Sequence, residues 1–448
     1  MNTRFSRLPA ALFVAALLLG GAGPARALEI QKVVSPGGIE AWLVEDHKVP
    51  VIAVEFSFAG GAAADPAGKE GLANLTADLL DEGAGNLDSQ SFAKRLQDDA
   101  ISVSFQAGSD DFRCGLRTLS EHQDAAWDLM ALALSRPRFD AEAVERVRAA
   151  VISDIRQSSA DPSKVARDAF YARLFPGHPY GRDDSGTVES VSKLTADDLR
   201  AMVGAAFARD HLLVTVTGDI TPEKLAPALD RLFGALPAAG HLPATAETTP
   251  QHLGETLVVR RPMTQSILMM GEPGLKRADP DWFPAYVMNY VLGGGGFSSR
   301  LTEEVREKRG LTYGVYSYLY PYDHAALIIA GGSTKNSTAA EALTLIKAEW
   351  ARMAESGITE KELADAKTYL TGSFPLQLSS SAAIARLVLQ VRHDKLGIDY
   401  LNRRNGLIEA VTLEDVKRVA KRLLDPAKFA VVVVGQPEGV ESTPAAAP

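Results

Sequence analysis

The sequence predicts an α+β protein built of two tandem, homologous halves, each a mixed, mostly antiparallel sheet packed with helices. Three observations predict it. The first is an internal repeat. "DHLLVTVTGDITPEKL" at residues 210–225 and "PAKFAVVVVGQPEGV" at residues 426–440 are β-branched runs closed by a glycine turn, roughly 217 positions apart. A repeat at that interval implies a duplicated folding unit. The second is a helix-start phrase ahead of each run, "LTADDLRAMV" from Leu194 and "VTLEDVKRVA" from Val411. Both put Thr at the cap and acids in the first turn, which satisfies free amides and suits the helix dipole. The third is the order of elements: in each half, strands come in blocks and long amphipathic helices follow, as in α+β chains.

The chain opens on a targeting pattern. Arg4 and Arg7 precede an apolar run at residues 10–19, and Ala25-Arg26-Ala27 supplies the small-x-small sequence of a signal peptidase site. The run is short of the about 20 residues needed to span a bilayer. Residues 1–27 are therefore expected to be a signal peptide, the mature chain to begin near Leu28, and the protein to be exported, in the periplasm or its equivalent. Residues 28–235 form the first predicted domain, 236–254 a Pro/Ala/Thr-rich linker, 255–440 the second domain and 441–448 a tail. Strands are expected at residues 41–44 and 51–58 in the first half, and at 255–260 and 266–271 in the second. Leu363, Ala366, Tyr369 and Leu370 give the apolar spacing of one later helix.

Charge and composition exclude several function classes. The chain carries 47 basic and 56 acidic side chains. Without the three arginines of residues 1–27 the excess of acid grows, so no basic face for nucleic acid is expected. The single cysteine, Cys114, allows no internal disulfide. In the alternating stretch 103–116 it reads as a half-buried strand thiol. No G-x-S-x-G elbow or phosphate-binding G-x-x-x-x-G-K-[ST] loop is present.

The first helix of the N-terminal half is expected within residues 69–89, "KEGLANLTADLLDEGAGNLDS", with Leu72, Leu75 and Leu79 as its buried stripe. Asn74 and Asp78 are four apart and share another face. This segment resembles the one that carries the inverted zinc motif, H-x-x-E-H, in pitrilysin/insulinase family metallopeptidases. The resemblance puts Asn74 at the first His, Ala77 at the Glu and Asp78 at the second His. "ERVRAAVISDIRQSSADPSKVA" is similar to the family segment that supplies a third ligand, Glu, and puts Ser153 or Asp154 in its place. Asn, Ala and a lone acid cannot replace two imidazoles and a general base, and without metal a water stays far from ionised at neutral pH. Too few oxygens stand here for calcium. No two of the eight histidines have helical ligand spacing, and His178 reads as a loop residue with its own hydrogen bonds.

In the second half, "VMNYVLGGGGFSSRLTEEVREKRGLTYGVYSYLYPYDHAALIIAGGS" spans residues 287–333. Gly293 to Gly296 are expected to end one helix and begin another. Ser298 or Ser299 then caps a helix to about Lys308, and residues 312–320 alternate as a strand. The stretch resembles the same family strongly, and the resemblance implies that Arg306 and Tyr313 reach into an active site in the other half of the assembly. The plainer alternatives are a helix charge paired with Glu303 and an ordinary strand aromatic. A degraded zinc motif beside an intact second half resembles the zinc-free subunit of two-chain members of the family. That implies a non-catalytic, substrate-binding subunit of a heteromeric zinc endopeptidase. A homologous zinc-bearing partner would hold the metal, this chain would hold none, and peptide would be the substrate. The alternative is a zinc-free scaffold or peptide-binding protein with no part in hydrolysis.

Overall fold

The computed structural model describes residues 28–443; the signal-peptide expectation lies outside them. No helix among these residues is long and apolar enough to cross a membrane. The strands are β1 (Gln31–Val34), β2 (Glu40–Glu45), β3 (Val51–Ala59), β4 (Gly83–Ala84), β5 (Leu87–Asp88), β6 (Ser102–Ala107), β7 (Asp111–Leu119), β8 (Leu213–Gly218), β9 (Thr256–Arg260), β10 (Gln265–Pro273), β11 (Thr312–Pro321), β12 (Ala326–Lys335) and β13 (Ala430–Gly435). One sheet runs β1-β2-β8-β3-β7-β6 and a second runs β11-β12-β10-β13-β9, with β4 and β5 forming a small hairpin. Both are mixed: β8 is parallel to β2 and antiparallel to β3, and β13 is parallel to β9 and antiparallel to β10.

The repeat is visible in this layout. β8 and β13 take matching places in their sheets, and their residues are 217 positions apart. Gly218 and Gly435 close them with φ of 137° and 146°. A Cβ at Gly218 would lie 2.0 Å from the Val51 carbonyl oxygen, so only glycine fits. Thr195 and Thr412, also 217 apart, form capping boxes with Asp198 and Asp415 at the starts of helices Ala196–Ala206 and Leu413–Leu423.

Alternation decides which face of each sheet is covered by what. Along β3, Ile52, Val54, Phe56 and Phe58 enter the main first-half core with Phe112, Cys114 and Leu116 of β7. A matching core in the second half includes Met270, Ile328, Trp350 and Val431. The opposite faces are covered by exchange. Helix Pro162–Leu174, from the first half, packs on β10 and β13, while helix Ser381–His393, from the second, packs on β3 and β8. The exchange is fastened by polar contacts. Arg392 donates to the Glu40 and Val214 carbonyls at 3.0 and 2.7 Å, and the Thr215 hydroxyl donates to the Ala385 carbonyl at 2.9 Å.

Several local expectations need correction. The helix expected within 69–89 is only Leu72–Ala77; the β4–β5 hairpin follows, then helix Ser89–Asp98. Gly83 and Gly85, at φ of 105° and 59°, take the chain out of helical conformation. The helix at Glu360–Gly372 buries Ala366 and Leu370 but leaves Tyr369 57% exposed, stacked on Tyr290 at 5.2 Å. Cys114 is fully buried rather than half-buried, and burial pushes its thiol well up. The Gly293–Gly296 region begins in a π-wound segment, Tyr290–Gly294, and the helix carrying Arg306 is π-wound over Thr302–Glu307. Its Ser299 hydroxyl accepts from the Thr302 amide at 3.4 Å.

Candidate functional site

Helix Leu72–Ala77 is held at its start by the Asp65 carboxylate, which accepts from the amides of Gly71 and Ala73 at 2.8 and 2.9 Å. Burial raises that carboxyl to about 7 against the pull of these donors. Asn74 spends its amide on structure: Nδ2 donates to the Asp184 carbonyl at 2.6 Å, tying the helix to a loop more than a hundred residues on. Ala77 is buried, 2% exposed, within the apolar core. Asp78 reaches solvent from a recess. Its carboxyl is raised first by desolvation, then by repulsion from Asp81 and Asp154. Asp154, on helix Ala141–Ser158, is thus a neighbour of Asp78, and it and Ser153 beside it are both exposed.

This donor set does not suit zinc. Catalytic zinc takes three good donors and a free position for water. Here one amide is already committed, one position is a methyl group, and two carboxylates repel each other without an imidazole between them. Among the described residues, no three His, Cys, Asp or Glu side chains are grouped to hold a metal ion. His178 is used up in its loop: Nε2 faces the Ala246 carbonyl at 2.9 Å and Nδ1 accepts from the Tyr180 amide at 3.2 Å.

Arg306 and Tyr313 have the opposite character. Tyr313 is the second residue of β11, an edge strand of the second sheet, and is 84% exposed. Arg306 does not pair with Glu303, which instead meets Lys308 at 3.0 Å. Its guanidinium lies 4.5 Å from the centroid of the Phe297 ring, itself 76% exposed, and 3.6 Å from Glu307. The turn between them is closed by hydrogen bonds from the Gly310 amide to the Arg306 carbonyl and from the Leu311 amide to the Val305 carbonyl. Among the described residues, no hydrogen bond or ion pair links Arg306 or Tyr313 to Asn74, Ala77, Asp78 or Asp154.

Arg300 was not singled out from the sequence. It is 7% exposed and anchors the start of the Arg306 helix through a two-pronged pair with Glu362, at 2.6 and 2.7 Å. Also missed was a cleft of about 320 Å³ between β6–β7 and helix Ser381–His393, lined by Glu55, Ser104, Gln106, Arg113, Arg386 and His393 among others. The only signal available in the sequence was alternation along residues 103–116, which assigns a polar face but not the helix that walls it.

Comparison with known proteins agrees with this geometry. Residues 41–187 match the family described as Insulinase (Peptidase family M16), and residues 193–370 match its Peptidase M16 inactive domain. The chain is 29% identical over 377 residues to a protein of Helicobacter pylori named a non-peptidase homolog, covering 84% of this chain and 86% of the relative. It is 31% identical over 317 residues to an uncharacterized zinc protease of Streptomyces coelicolor, covering 69% of this chain and 68% of the relative. The crystal structure of a peptidase M16 inactive domain from Pseudomonas fluorescens superposes with a TM-score of 0.85 at 28% identity, covering 93% of this chain and all of that one.

Proposed function

Because the chain belongs to the insulinase family, peptidase family M16, we propose that it is the non-catalytic, substrate-binding subunit of a heteromeric zinc endopeptidase, exported to the periplasm. A homologous partner carries the zinc, peptide is the substrate, and this chain lends Arg306 and Tyr313. One observation carries the reading. Asn74 and Ala77 have been absorbed into the fold, while Tyr313 stands exposed and Arg306 half-buried on either side of a tightly closed turn.

Peptide hydrolysis builds negative charge on the scissile carbonyl oxygen, and donors aimed there lower the barrier. The Tyr313 hydroxyl offers one donor. The Arg306 guanidinium offers a fork suited to carbonyl or carboxylate oxygens, and the Phe297 ring beneath it holds its plane. Neither group activates water, so both act only beside a metal-bearing partner. The open edges at β6 and β11 suit extended peptide, since strand addition fixes backbone with little demand on sequence.

The test is reconstitution with a partner bearing the complete motif. Arg306→Ala and Tyr313→Phe are expected to lower turnover of the complex about tenfold or more while leaving assembly unchanged by native mass spectrometry. Full turnover in both variants would remove their roles. Chelator-resistant peptidase activity from this chain alone would remove the reading. A scaffold with no part in hydrolysis is the second reading; the exposure of Tyr313 beside the Arg306 turn weighs against it.

A further inference from the structure

The exchanged helix Ser381–His393 covers β3 and β8 but leaves the same face of β7 and β6 open. Because Phe112, Cys114 and Leu116 enter the core, alternation turns Arg113, Gly115 and Arg117 to this open face. The ladder sets Gln106 opposite Arg113, Ser104 opposite Gly115 and Ser102 opposite Arg117. Arg386, Gln390 and His393 of the helix form the facing wall.

The charges on this shelf are unequal in availability. Arg117 is exposed and has no hydrogen-bond or ion-pair partner among the described residues. Arg113 commits only Nε, to Asp111 at 2.8 Å. Arg386 makes one contact, from NH1 to Glu55 at 3.2 Å, and is 62% exposed. Much guanidinium capacity is therefore free. The carboxyl groups are already engaged: Asp111 pairs with Arg113, Asp323 and Asp394 flank His393, and burial raises the Glu55 carboxyl beside Arg386 to about 7, so it is only part-charged at neutral pH. His393 is held protonated by Asp323 and Asp394. The donors left free on the shelf are thus guanidinium nitrogens of Arg113, Arg117 and Arg386, on a chain of net charge −9.

Its floor is kept low by Gly115. No left-handed backbone requires glycine there, but a Cβ would come within 2.7 Å of Ser104 Oγ and 3.3 Å of Glu55 Oε2. Glycine inside a strand weakens it and marks places where another group comes close. β6 is the last strand of its sheet, so a peptide can continue the ladder. Strands lie about 4.8 Å apart, which places an added strand roughly 10 Å from β7. An extended arginine side chain from β7 covers most of that gap, and a carboxylate side chain from the peptide closes it.

From this geometry we infer that the shelf selects an acidic segment of extended peptide, added to β6 with alternate Asp or Glu side chains over Arg113, Arg117 and Arg386. The inference rests on the peptide-binding reading above and adds the class of side chain.

The test is fluorescence anisotropy of the full mature chain with three labelled ten-residue peptides, identical except for Glu, Gln or Lys at alternate positions. The Glu peptide is expected to bind about tenfold more tightly than the Gln peptide, with the Lys peptide weakest. Arg117→Gln and Arg386→Gln together are expected to reduce the difference at least threefold, with an unchanged thermal melt showing that the fold persists. Equal binding of all three, tighter binding of the Lys peptide, or undiminished preference in the double variant would overturn the inference and leave peptide binding intact. Failure of every peptide to bind would instead remove the peptide-binding reading.

Discussion

Glu362→Gln should be among the most costly single changes on the surface of the second half. Glu362 reads as a capping residue, since it completes a capping box with Thr359, its carboxylate accepting from the Thr359 amide at 2.7 Å. Its larger task is to neutralise Arg300, which is nearly buried and has one nitrogen without a partner. Burial alone would raise the Glu362 carboxyl, yet the Arg300 fork and the Thr359 amide hold it down at about 2, against 4.5 in a free side chain. At about 1.4 kcal/mol per pH unit this corresponds to roughly 3 kcal/mol. The carboxylate is 28% exposed, and solvent screening trims that to about 2 kcal/mol. The sign follows from the depressed folded value: the contribution is complete above pH 4.5 and is lost as pH falls toward about 2. Urea unfolding followed by tryptophan fluorescence is the assay, with buried Trp350 reporting on the second core. Wild type should exceed the variant by about 2 kcal/mol at pH 7, and the gap should narrow at pH 3. A gap below about 0.5 kcal/mol at pH 7, typical of an exposed pair, or one that does not change with pH, would refute the clamp.

Two further predictions concern the first half. Asn74→His with Asp78→His puts two imidazoles one turn apart beside Asp154, and this variant should retain one zinc per chain by metal analysis; with Ala77 still in place it should not cleave peptide. Zinc retained equally by the unaltered chain would contradict the account of the motif. Glu55→Gln removes a carboxyl raised by burial from 4.5 to about 7. In wild type such a group costs stability as pH rises from 4.5 through 7, so the variant should gain about 1–2 kcal/mol relative to wild type between pH 5 and pH 8. Parallel melting curves at both pH values would argue that Glu55 is not desolvated.

What the sequence makes legible is local. Thr195 and Thr412 announce their capping boxes because the caps involve side chains three residues apart, and β8 and β13 stand out as unbroken β-branched runs. Asn74, Ala77 and Asp78 can be recognised as degenerate because the surrounding phrase persists. The structure adds the reason that Asn74 suits its place, its bond to the Asp184 carbonyl, a contact across more than a hundred residues. Tyr369 misleads for a related reason. It has the spacing of a buried position, but its ring is taken up by stacking on Tyr290 rather than by the core. The π-winding at Tyr290–Gly294 and Thr302–Glu307 has no simple periodic signature, since one inserted residue per turn only shifts the apolar stripe.

The exchanged helices mark the deeper limit. Pro162–Leu174 and Ser381–His393 stand at nearly the repeat interval, so each looks like an amphipathic helix of its own half. Each instead supplies apolar cover to the other half's sheet: Phe170 lies among Leu327, Ile329 and Val432, and Val388 lies beside Val44. A helix removed from either half would strip apolar area from the opposite sheet, and removal of Ser381–His393 would take away the Arg392 contacts to the Glu40 and Val214 carbonyls. The two halves therefore stabilise one another and should not unfold as separate units. The same exchange builds the shelf. Its floor comes from β6 and β7 and its far wall from a helix almost three hundred residues later. Neither half contains the site alone, so a duplication that would have been redundant as two independent domains acquires a surface that only the joined chain possesses.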